Sequence, residues 1–400
     1  MLSSKSELCA LPTAWPRSGA QPFGLDPEQT AFRDGIVEFA RAALNQGVAE
    51  RDARSEFDRG GWQKCADAGL LGLAVPEEFG GAGLDPLGIL VAMEALGYGC
   101  EDNGMVFALG NHIFSCVTPI VRFGSEAQKR RFLPGLASGN LIGAHAMTEE
   151  HGGSDAASAR TTARREDSEY ALYGRKTFIT NGPIADIFIV FARTGEQLGA
   201  RSVSAFVVES AAPGFRAGRP MTKMGLRGAP MSEIEFDGCR VPEANLLGGE
   251  GNGMMVFHAA AEAERCYLSA ANVGAMKRQL EKCVRRLQKR GLTRHQALTH
   301  RLAEIKVNIE AAELMLRKIA WLWSHGRPAF FESAAAKLFT SESYVKASLA
   351  ALQLHGAYGY MEESGIERQM RDSLASTMYA GASEIQKEIV ASWLGLGRAV

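Results

Sequence analysis

Apolar and polar positions alternate in three different ways along the chain. Residues 26–140 show apolar side chains at helical spacing, with capping-box signals at Asp26–Gln29 and Ser125–Gln128. Between residues 141 and 250, short β-branched and aromatic runs are separated by Asn-Gly and Asp-Gly turns. Long helical periods return over 251–400. The pattern predicts a multidomain α+β protein: a flexible tail over 1–25, a helical domain, a middle antiparallel sheet or barrel, and a second helical domain.

The strongest apolar runs predict individual elements within these regions. Strands and helices do not alternate, so a doubly wound nucleotide-binding domain is not expected. The glycine-rich stretch 248–253 lacks the Lys-Ser/Thr of a phosphate loop and is interpreted as an interdomain turn. Core helices are predicted at Pro86–Leu96 and Val106–Val121, and strands at Glu169–Gly174, Ala185–Ala192, Val203–Glu209 and Ser232–Phe236.

The composition narrows the possible functions. The 400 residues are 46% hydrophobic with a net charge of −1, which is typical of a folded protein without a general attraction to nucleic acid or an anionic membrane. No apolar run approaches the roughly 18 residues of a membrane span. Seven scattered cysteines without a C-x-x-C pair favour reduced thiols and a cytoplasmic location. The sequence contains neither a metal-ligand motif nor G-x-S-x-G, so no metal site is expected.

The helix that begins near residue 253 carries the strongest candidate for chemistry. Apolar residues lie three, four and seven positions from Glu264, so its carboxylate is expected on the buried face of this helix. Burial raises the pKa of a carboxyl group toward the range of a general base. Glu262 instead shares a face with His258 and Arg265, which predicts a solvated or paired carboxylate. A buried Glu264 that only satisfies hydrogen bonds is an equally good interpretation of the pattern.

Three other segments have both a functional and a structural interpretation. The stretch 148–155 combines hydroxyl groups with paired glycines, and is either a ligand loop or an ordinary turn. The stretch 174–182 predicts a strand that ends in an Asn-Gly turn with Phe178 and Thr180 on one face, or a plain hairpin. Residues 277–301 hold nine Lys or Arg and one Glu, which indicates a solvated helix face or an anion site.

Six motifs lie in order along residues 26–395: Ala146–Asp155, Lys176–Gly182, Lys223–Arg227, Val241–Gly248, Gln353–Tyr360 and Arg371-Asp372. Together they resemble the motifs of the acyl-CoA dehydrogenase family. Each motif alone is weak, but their order over this length is specific. The resemblance implies an N-terminal α-helical domain over 26–140, a middle β-barrel over 141–250 and a C-terminal four-helix bundle over 251–400.

The resemblance also implies a cofactor, FAD, bound between barrel and bundle at a subunit interface of a homotetramer or homodimer. Three departures from the family pattern, at Gln288-Lys289, His295 and Ala382, concern the affinity for this cofactor. The positions that match FAD contacts of the family are Met147, Thr148, Gly153 and Ser154 beside the isoalloxazine, Phe178 and Thr180 flanking it, Ser383 and Glu384 late in the chain, and Arg285, Gln296, Gln353, Leu354 and Gly356 toward the FAD of the neighbouring subunit.

The position of the catalytic base is a further departure. Many family members place a catalytic Glu where this chain has Ala380, whereas a minority resembling isovaleryl- and long-chain acyl-CoA dehydrogenases carry it on the bundle helix, immediately before an Arg. That position is Glu264, followed by Arg265. The resemblance therefore implies that Glu264 removes the α-proton of an acyl thioester while FAD accepts the β-hydride, giving the 2-enoyl thioester. Arg265, Gly381 and Ser154 are the expected substrate contacts.

The sequence leaves the substrate open between an acyl-CoA and a thioester on an acyl or peptidyl carrier protein. Residues 95–108, 114–116, 371–373 and 388–390 are similar to members that act on carrier-bound acyl or prolyl groups. An electron-transferring flavoprotein or a similar acceptor is the expected redox partner. Neither a nucleic acid nor a membrane is expected as a partner. The alanines at 380 and 382 also leave open a flavin-dependent monooxygenase or oxidase, or a non-catalytic homologue with the same fold.

Overall fold

The computed structural model describes residues 24–195 and 199–397. All but the last two residues of the predicted N-terminal tail lie outside the described residues. Within the described part of the chain, helices fill the first region, strands the second and helices the third, as the apolar pattern predicts.

The first region is helical because its apolar residues recur at helical spacing behind side-chain caps. Asp26 and Ser125 both form the predicted capping boxes, with Gln29 and Gln128 respectively. The helices are α1 (Pro27–Ala43), α2 (Val48–Arg54), α3 (Arg59–Asp67), α4 (Pro86–Gly99), α5 (Asn103–Gly110), α6 (Thr118–Phe123) and α7 (Glu126–Ala137). A π-helical segment, Asn111–Val117, joins α5 to α6, and short 3-10 turns lie at Leu70–Gly72 and Glu77–Phe79.

The continuous helical stretch Asn103–Phe123 corrects one expectation. Among the described residues it is long and apolar enough to cross a membrane by length and composition, with a mean hydropathy of 1.5. The prediction that no apolar run approaches the length of a membrane span was wrong. The few polar residues in this stretch do not lower its mean hydropathy enough. In the structure 89% of the most apolar 18-residue window of this stretch is buried inside the protein, so it lies in the core.

The middle region forms an eight-stranded sheet in the described residues. Its order is β6-β7-β3-β2-β4-β5-β8, and β1 pairs with β4 outside this path. Most neighbours are antiparallel, but β1 and β2 each pair with β4 in parallel, so the expectation of an antiparallel sheet was wrong for these two pairs. The strands are β1 (Gly143–Ala146), β2 (Thr162–Glu166), β3 (Glu169–Thr180), β4 (Ile187–Arg193), β5 (Val203–Glu209), β6 (Phe215–Ala217), β7 (Met231–Pro242) and β8 (Leu246–Leu247).

The third region is built around a helix that is 37 residues long, about 55 Å at 1.5 Å per residue. Its helices pack side by side, with α8 against α9 and α10, and with α12 and α13 against α10. The bounds are α8 (Gly253–Lys289), α9 (Gln296–Ser324), α10 (Phe330–His355), α11 (Ala357–Tyr360), α12 (Ile366–Leu374) and α13 (Ser383–Trp393).

Helices α4 and α8 join the first and third regions at very close range. A Cβ atom on Gly97 would lie 2.0 Å from the Ala271 carbonyl oxygen, and one on Gly274 would lie 2.1 Å from the Glu94 carbonyl oxygen. Only glycine allows this approach. Beside the crossing, Lys277 is buried between Glu94 at 2.5 Å and Glu313 at 3.0 Å. Part of the basic stretch 277–301 therefore holds the regions together instead of facing solvent.

Candidate active site

Helix α8 places Glu264 opposite the π-helical segment of the first region. The neighbours of Glu264 on its own helix face, Ala260, Ala261 and Leu268, are buried, as the spacing predicts. The Ser115 hydroxyl on the π-helical segment donates a hydrogen bond to Glu264 Oε1. The carboxylate is therefore partly buried and held by a side chain from another region of the chain.

The π-helical segment explains why Ser115 reaches this position. An i→i+5 turn inserts one extra residue into a helix and rotates the side chains that follow, and such turns are frequent at functional sites. The Ser115 carbonyl oxygen accepts a hydrogen bond from His145 Nδ1 at 3.0 Å. Burial lowers the pKa of His145 to about 4, so this ring is neutral at pH 7. The sequence analysis missed the role of Ser115, because the apolar pattern gives no signal for a π-turn.

The surroundings of Glu264 shift its pKa in opposite directions. Burial raises the pKa of Glu264 to about 6, while hydrogen bonds from Ser115 and Asn111 and the charge of Arg265 partly offset this rise. A carboxyl group with a pKa near 6 is mostly ionised at pH 7 and is more basic than an exposed one. This is the range in which a carboxylate serves as a general base.

Arg265 lies beside the late turn that contains Ala380 and Gly381. Its side chain is only 4% exposed, and its Nε donates to the Ala380 carbonyl at 3.2 Å. Its guanidinium lies above the Phe330 ring, 5.3 Å from the ring centroid. Burial lowers the pKa of Arg265 to about 10, and Nη1 has no hydrogen-bond partner among the described residues. Arg265 thus fixes the turn and retains a free donor.

Two other buried side chains hold the same turn. Lys337 Nζ donates to the Gly381 carbonyl at 2.6 Å, and Gln386 Nε2 donates to the Ala380 and Gly381 carbonyls at 3.1 and 2.9 Å. Ala380 and Gly381 both have positive φ angles, of 53° and 91°. A non-glycine residue in this conformation is uncommon and requires support from its surroundings.

Glu262 is paired, as predicted, and points away from this site. Its Oε1 accepts from Trp323 Nε1 at 3.0 Å and from the Ala329 backbone N–H at 3.2 Å. Trp323 lies in the last turn of α9, and Ala329 directly precedes α10. Its carboxylate is therefore used to join helices.

A buried ion pair fixes the loop that follows β1. Lys176 Nζ, on β3, lies 2.8 Å from Glu149 Oε1 and 2.9 Å from the Met147 carbonyl oxygen. Burial would raise the pKa of Glu149, but the charge of Lys176 and hydrogen bonds from Thr161 lower it to about 2. Burial lowers the pKa of Lys176 to about 8 despite its partner. Both residues lie within the sequence motifs, but the motifs predict no role for them.

Phe178 stands out on the same strand because its ring is 61% exposed. It has a φ of 57°, and the register between β3 and β7 shifts at this point, so the strand contains a bulge. Thr180 is buried. The expectation that Phe178 and Thr180 share one face was therefore wrong, because the bulge turns Phe178 outward. The Asn-Gly turn is present, with Asn181 at a φ of 63°, but β3 pairs with β2 and β7 instead of forming a hairpin across it.

Comparison with known protein families shows which family the chain belongs to. Three family models cover it in order: the N-terminal domain of acyl-CoA dehydrogenase over residues 26–140, the middle domain over 144–239 and the C-terminal domain over 251–395. The chain belongs to the acyl-CoA dehydrogenase family. The resemblance in the sequence motifs and the fold implied by it are confirmed, and the members of this family are FAD-dependent oxidoreductases.

Similar proteins within the acyl-CoA dehydrogenase family include prolyl-thioester enzymes. An L-prolyl-[peptidyl-carrier protein] dehydrogenase of Pseudomonas fluorescens is 42% identical over 341 residues, 84% of this chain and 90% of that protein. The solved structure of the prolyl acyl carrier protein oxidase AnaB is 39% identical with a TM-score of 0.92, over 93% of this chain and 100% of that one. The structure of PigA with FAD and proline is 35% identical with a TM-score of 0.91, over 94% and 99%.

Several positions that match FAD contacts of acyl-CoA dehydrogenases lie in the loop between β1 and β2 or at the start of α13. Met147 is buried next to Lys176, and the Thr148 carbonyl oxygen accepts from the Thr177 N–H at 2.9 Å. Ser383, at the start of α13, is buried, and its hydroxyl has no partner among the described residues. The remaining positions, Gly153, Ser154 and Glu384, lie on loops or helix ends with full or partial exposure.

The other predicted FAD contacts lie far from Glu264 on this chain. Arg285 follows Glu264 by 21 residues on the same helix, about 30 Å at 1.5 Å per residue. Its exposed guanidinium pairs with Glu281. Gln296, Gln353, Leu354 and Gly356 lie at the ends of α9 and α10. One chain therefore does not bring these residues together with Glu264.

Proposed function

We propose that this protein is an FAD-dependent dehydrogenase that introduces an α,β double bond into an acyl thioester, with Glu264 as the base. The observation that carries the proposal is the partly buried Glu264 carboxylate, with a pKa raised to about 6, held by Ser115 on a π-helical segment. Ala380 stands where many relatives have a catalytic Glu, and it has no group that could accept a proton. Glu264 is the carboxylate at this site.

The buried surroundings give Glu264 the properties that proton abstraction requires. The α-proton of a thioester is weakly acidic. The base that removes it must be more basic than an exposed carboxylate, yet still ionised at neutral pH. Burial raises the pKa, and Ser115 and Asn111 keep the ionised form hydrogen-bonded. When the proton moves to Glu264, the nearby positive charge of Arg265 is left without its counter-charge, and this limits how far the pKa rises.

The turn at Ala380 and Gly381 supports activation of the thioester carbonyl. Arg265, Lys337 and Gln386 hold the two carbonyl oxygens of this turn, so its N–H groups have a fixed direction. None of the hydrogen bonds among the described residues uses the Gly381 N–H. A fixed N–H donor stabilises negative charge that develops on a carbonyl oxygen without reorganising during the reaction.

Several side chains of this chain fit FAD. Phe178 exposes an aromatic ring at the bulge on β3, and Ser383 and Arg265 contribute a hydroxyl group and an Nη1 that are both buried and unpartnered. Buried donors without partners are rare and favour a bound acceptor. Met147, Thr148, Phe178 and Ser383 would hold the cofactor in this chain, and Arg285, Gln296 and Gln353 would contact the FAD of a neighbouring subunit. FAD, when bound, accepts the β-hydride of the acyl group.

We propose a carrier-bound prolyl thioester as the substrate. The similarity to a prolyl-carrier protein dehydrogenase at 42% identity, and to AnaB and PigA, supports this choice over a free acyl-CoA. A homotetramer or homodimer is proposed as well, because Arg285, one of the second group of predicted FAD contacts, lies about 30 Å from Glu264 along α8. A cytoplasmic location is consistent with six buried free cysteines in the described residues.

Anaerobic titration of the flavin tests the activity and the base. The purified protein should be yellow, and its flavin should bleach with prolyl thioester on a carrier protein, less with prolyl-CoA and least with butyryl-CoA. Glu264→Gln should keep FAD and lose the bleaching by a factor of about 10³ or more. Glu262→Gln is the matched control, because Glu262 joins helices and should leave the bleaching intact. Full bleaching in the Glu264→Gln variant would overturn the assignment of the base.

An oxidase is the second candidate, and the name of AnaB, a prolyl acyl carrier protein oxidase, favours it. The two candidates share the first half-reaction and differ in what reoxidises the flavin. Stopped-flow reoxidation by dissolved oxygen and by an electron-transferring flavoprotein separates them. Fast reoxidation by oxygen with formation of hydrogen peroxide identifies the oxidase, and dependence on the flavoprotein identifies the dehydrogenase.

A further inference from the structure

Asn111 presents a second polar side chain to the Glu264 carboxylate, beside Ser115. It is the first residue of the π-helical segment and precedes Ser115 by four positions, and both side chains donate a hydrogen bond to Glu264. An ionised carboxylate only accepts hydrogen bonds, so the Asn111 group that faces it is the amide nitrogen Nδ2. The amide oxygen Oδ1 of Asn111 therefore takes no part in holding the base.

This Oδ1 atom is buried without a partner. Asn111 is only 8% exposed, and its Oδ1 has no hydrogen-bond partner among the described residues. A buried carbonyl oxygen that stays unpaired costs free energy, and such atoms are rare in folded proteins. The atom therefore favours a donor from a ligand that enters beside Glu264.

The packing on both sides of Asn111 fixes the backbone that carries this acceptor. Gly110 precedes it and lets the first region approach α8 closely, since a Cβ at this glycine would collide with Leu268 Cδ2. His112 follows it and is completely buried, with both ring nitrogens hydrogen-bonded to backbone groups. Asn111 is thus held opposite the base before any ligand binds, which favours precise recognition.

The other polar groups near the base cannot replace Asn111 as an acceptor. Arg265 Nη1 is also buried and unpartnered, but a guanidinium group only donates hydrogen bonds. The Ser115 hydroxyl is engaged with Glu264. A purely hydrocarbon acyl group at this site would leave Asn111 Oδ1 unpaired, whereas an acyl group that carries an N–H would pair it.

The position of the nitrogen in a prolyl group matches the position of Asn111. The α-carbon of the substrate must come into contact with Glu264, because this carboxylate removes its proton. The ring nitrogen is bonded directly to the α-carbon, about 1.5 Å from it. A side chain that is itself hydrogen-bonded to the Glu264 carboxylate is therefore within reach of this nitrogen. The nitrogen carries an N–H both as the free amine and as the ammonium ion.

We propose that Asn111 determines the specificity for an α-amino acyl thioester: its Oδ1 accepts a hydrogen bond from the nitrogen on the α-carbon while its Nδ2 holds Glu264. One side chain then aligns the α-carbon with the base and discriminates against acyl groups that lack the N–H. This inference rests on the proposed function, because it takes Glu264 as the base and a prolyl thioester as the substrate.

Two thioesters of nearly the same shape test the contact. L-Prolyl-pantetheine and cyclopentanecarbonyl-pantetheine differ at one ring position, which is N–H in the first and CH₂ in the second. Anaerobic flavin reduction is measured with the FAD-loaded wild type, Asn111→Leu and Asn111→Ala. The ratio of prolyl to cyclopentanecarbonyl kcat/KM should fall about tenfold or more in both variants.

Ser115→Ala is the control that separates recognition from basicity. Asn111 and Ser115 both hydrogen-bond Glu264, so replacing either changes the base and affects both thioesters. The ratio should therefore stay at its wild-type value in Ser115→Ala. An equal fall of the ratio in Ser115→Ala, or an unchanged ratio in the folded Asn111 variants, would overturn the role of Asn111. A wild type that handles the two thioesters equally well would overturn it without any variant.

Binding gives a readout that does not need turnover. The prolyl thioester should raise the melting temperature of the wild type more than the cyclopentanecarbonyl thioester does, and this difference should vanish in Asn111→Leu. Prolyl-selective binding that depends on Asn111, without flavin reduction, would reject the proposed function and support the role of Asn111. Flavin reduction without selectivity in rate or in binding would support the proposed function and overturn the role of Asn111.

Discussion

The Ser115 hydroxyl donates a hydrogen bond to the Glu264 carboxylate across the contact between the first and third regions of the chain. The two residues are separated by 149 positions in the sequence. Because Glu264 is partly buried, this bond lowers a pKa that burial alone would raise further. The relationship makes the basicity of Glu264 depend on how the two regions pack.

Replacing Ser115 should therefore move the acid limb of the pH profile of kcat/KM to a higher pH. Ser115→Ala removes a hydrogen bond to the ionised form, so the pKa of Glu264 should rise from about 6. A bond to a charged group contributes about 1.5–3 kcal/mol, which corresponds to a shift of about one to two pH units. The base must be ionised to act, so kcat/KM should fall at a higher pH than in the wild type. Its pH dependence is the measurement.

Ser348→Ala is the matched control for this substitution. Ser348 is a buried serine whose hydroxyl bonds to Gln279 within the bundle, away from Glu264. Its removal should leave the acid limb in place. An acid limb that is the same in Ser115→Ala and the wild type would show that Glu264 does not govern the profile, or that Ser115 does not tune it.

The buried pair Lys176–Glu149 should contribute strongly to stability. Lys176→Met leaves the Glu149 carboxylate in its buried position with backbone N–H groups but no counter-charge. Breaking a buried pair in this way should lower the free energy of unfolding by about 3–5 kcal/mol. Denaturant unfolding measures the loss. Arg175→Met on the same strand removes two exposed ion pairs, to Glu233 and Glu235 at 3.8 Å each, and should cost at most about 1 kcal/mol. Equal losses in the two variants would contradict the role of the buried pair.

The sequence predicts Glu264 well but not its partner. Helical spacing alone puts Glu264 on the buried face of α8, because a helix face is a local property of the chain. Ser115 reaches it only through a π-turn, and the outward turn of Phe178 depends on a bulge in β3. Both are insertions of one residue into a regular element, which leave the hydrophobic pattern almost unchanged.

Long-range packing limits the prediction in a different way. The basic stretch 277–301 resembles a solvated face because the stretch itself contains only one acidic residue, Glu281. The partners of Lys277, Glu94 and Glu313, lie on α4 and α9, far away in sequence. The regions and their order follow from local periodicity, whereas the pairing of buried charges depends on contacts between regions.

Lys337 should impose a pH dependence on stability in the alkaline range. Burial and the nearby charge of Arg265 lower the pKa of Lys337 from 10.5 to about 7. Between pH 7 and 10.5 the unfolded chain therefore binds more protons at this residue than the folded chain does, and its contribution to stability rises with pH. The free energy of unfolding of the wild type minus that of Lys337→Met should increase across this window. Lys387→Met, which removes an exposed lysine, is the matched control. A flat difference for Lys337→Met would place its folded pKa near the ordinary value.

Gly381 should tolerate no side chain. Its φ of 91° disfavours any L-residue, and a Cβ would lie 2.5 Å from Gln386 Nε2, the atom that holds the Ala380 and Gly381 carbonyls. Gly381→Ala should therefore lower the free energy of unfolding by about 1–3 kcal/mol and slow flavin reduction, because the turn beside Glu264 must shift. Gly35→Ala on α1 is the control: nothing lies within 4 Å of its Cβ, and alanine there should be neutral or stabilising by up to about 1 kcal/mol. Melting temperature and the rate of anaerobic bleaching are measured for both. If Gly381→Ala matched the wild type in both, the turn would not need its left-handed glycine, and the Arg265, Lys337 and Gln386 contacts would not be what positions it.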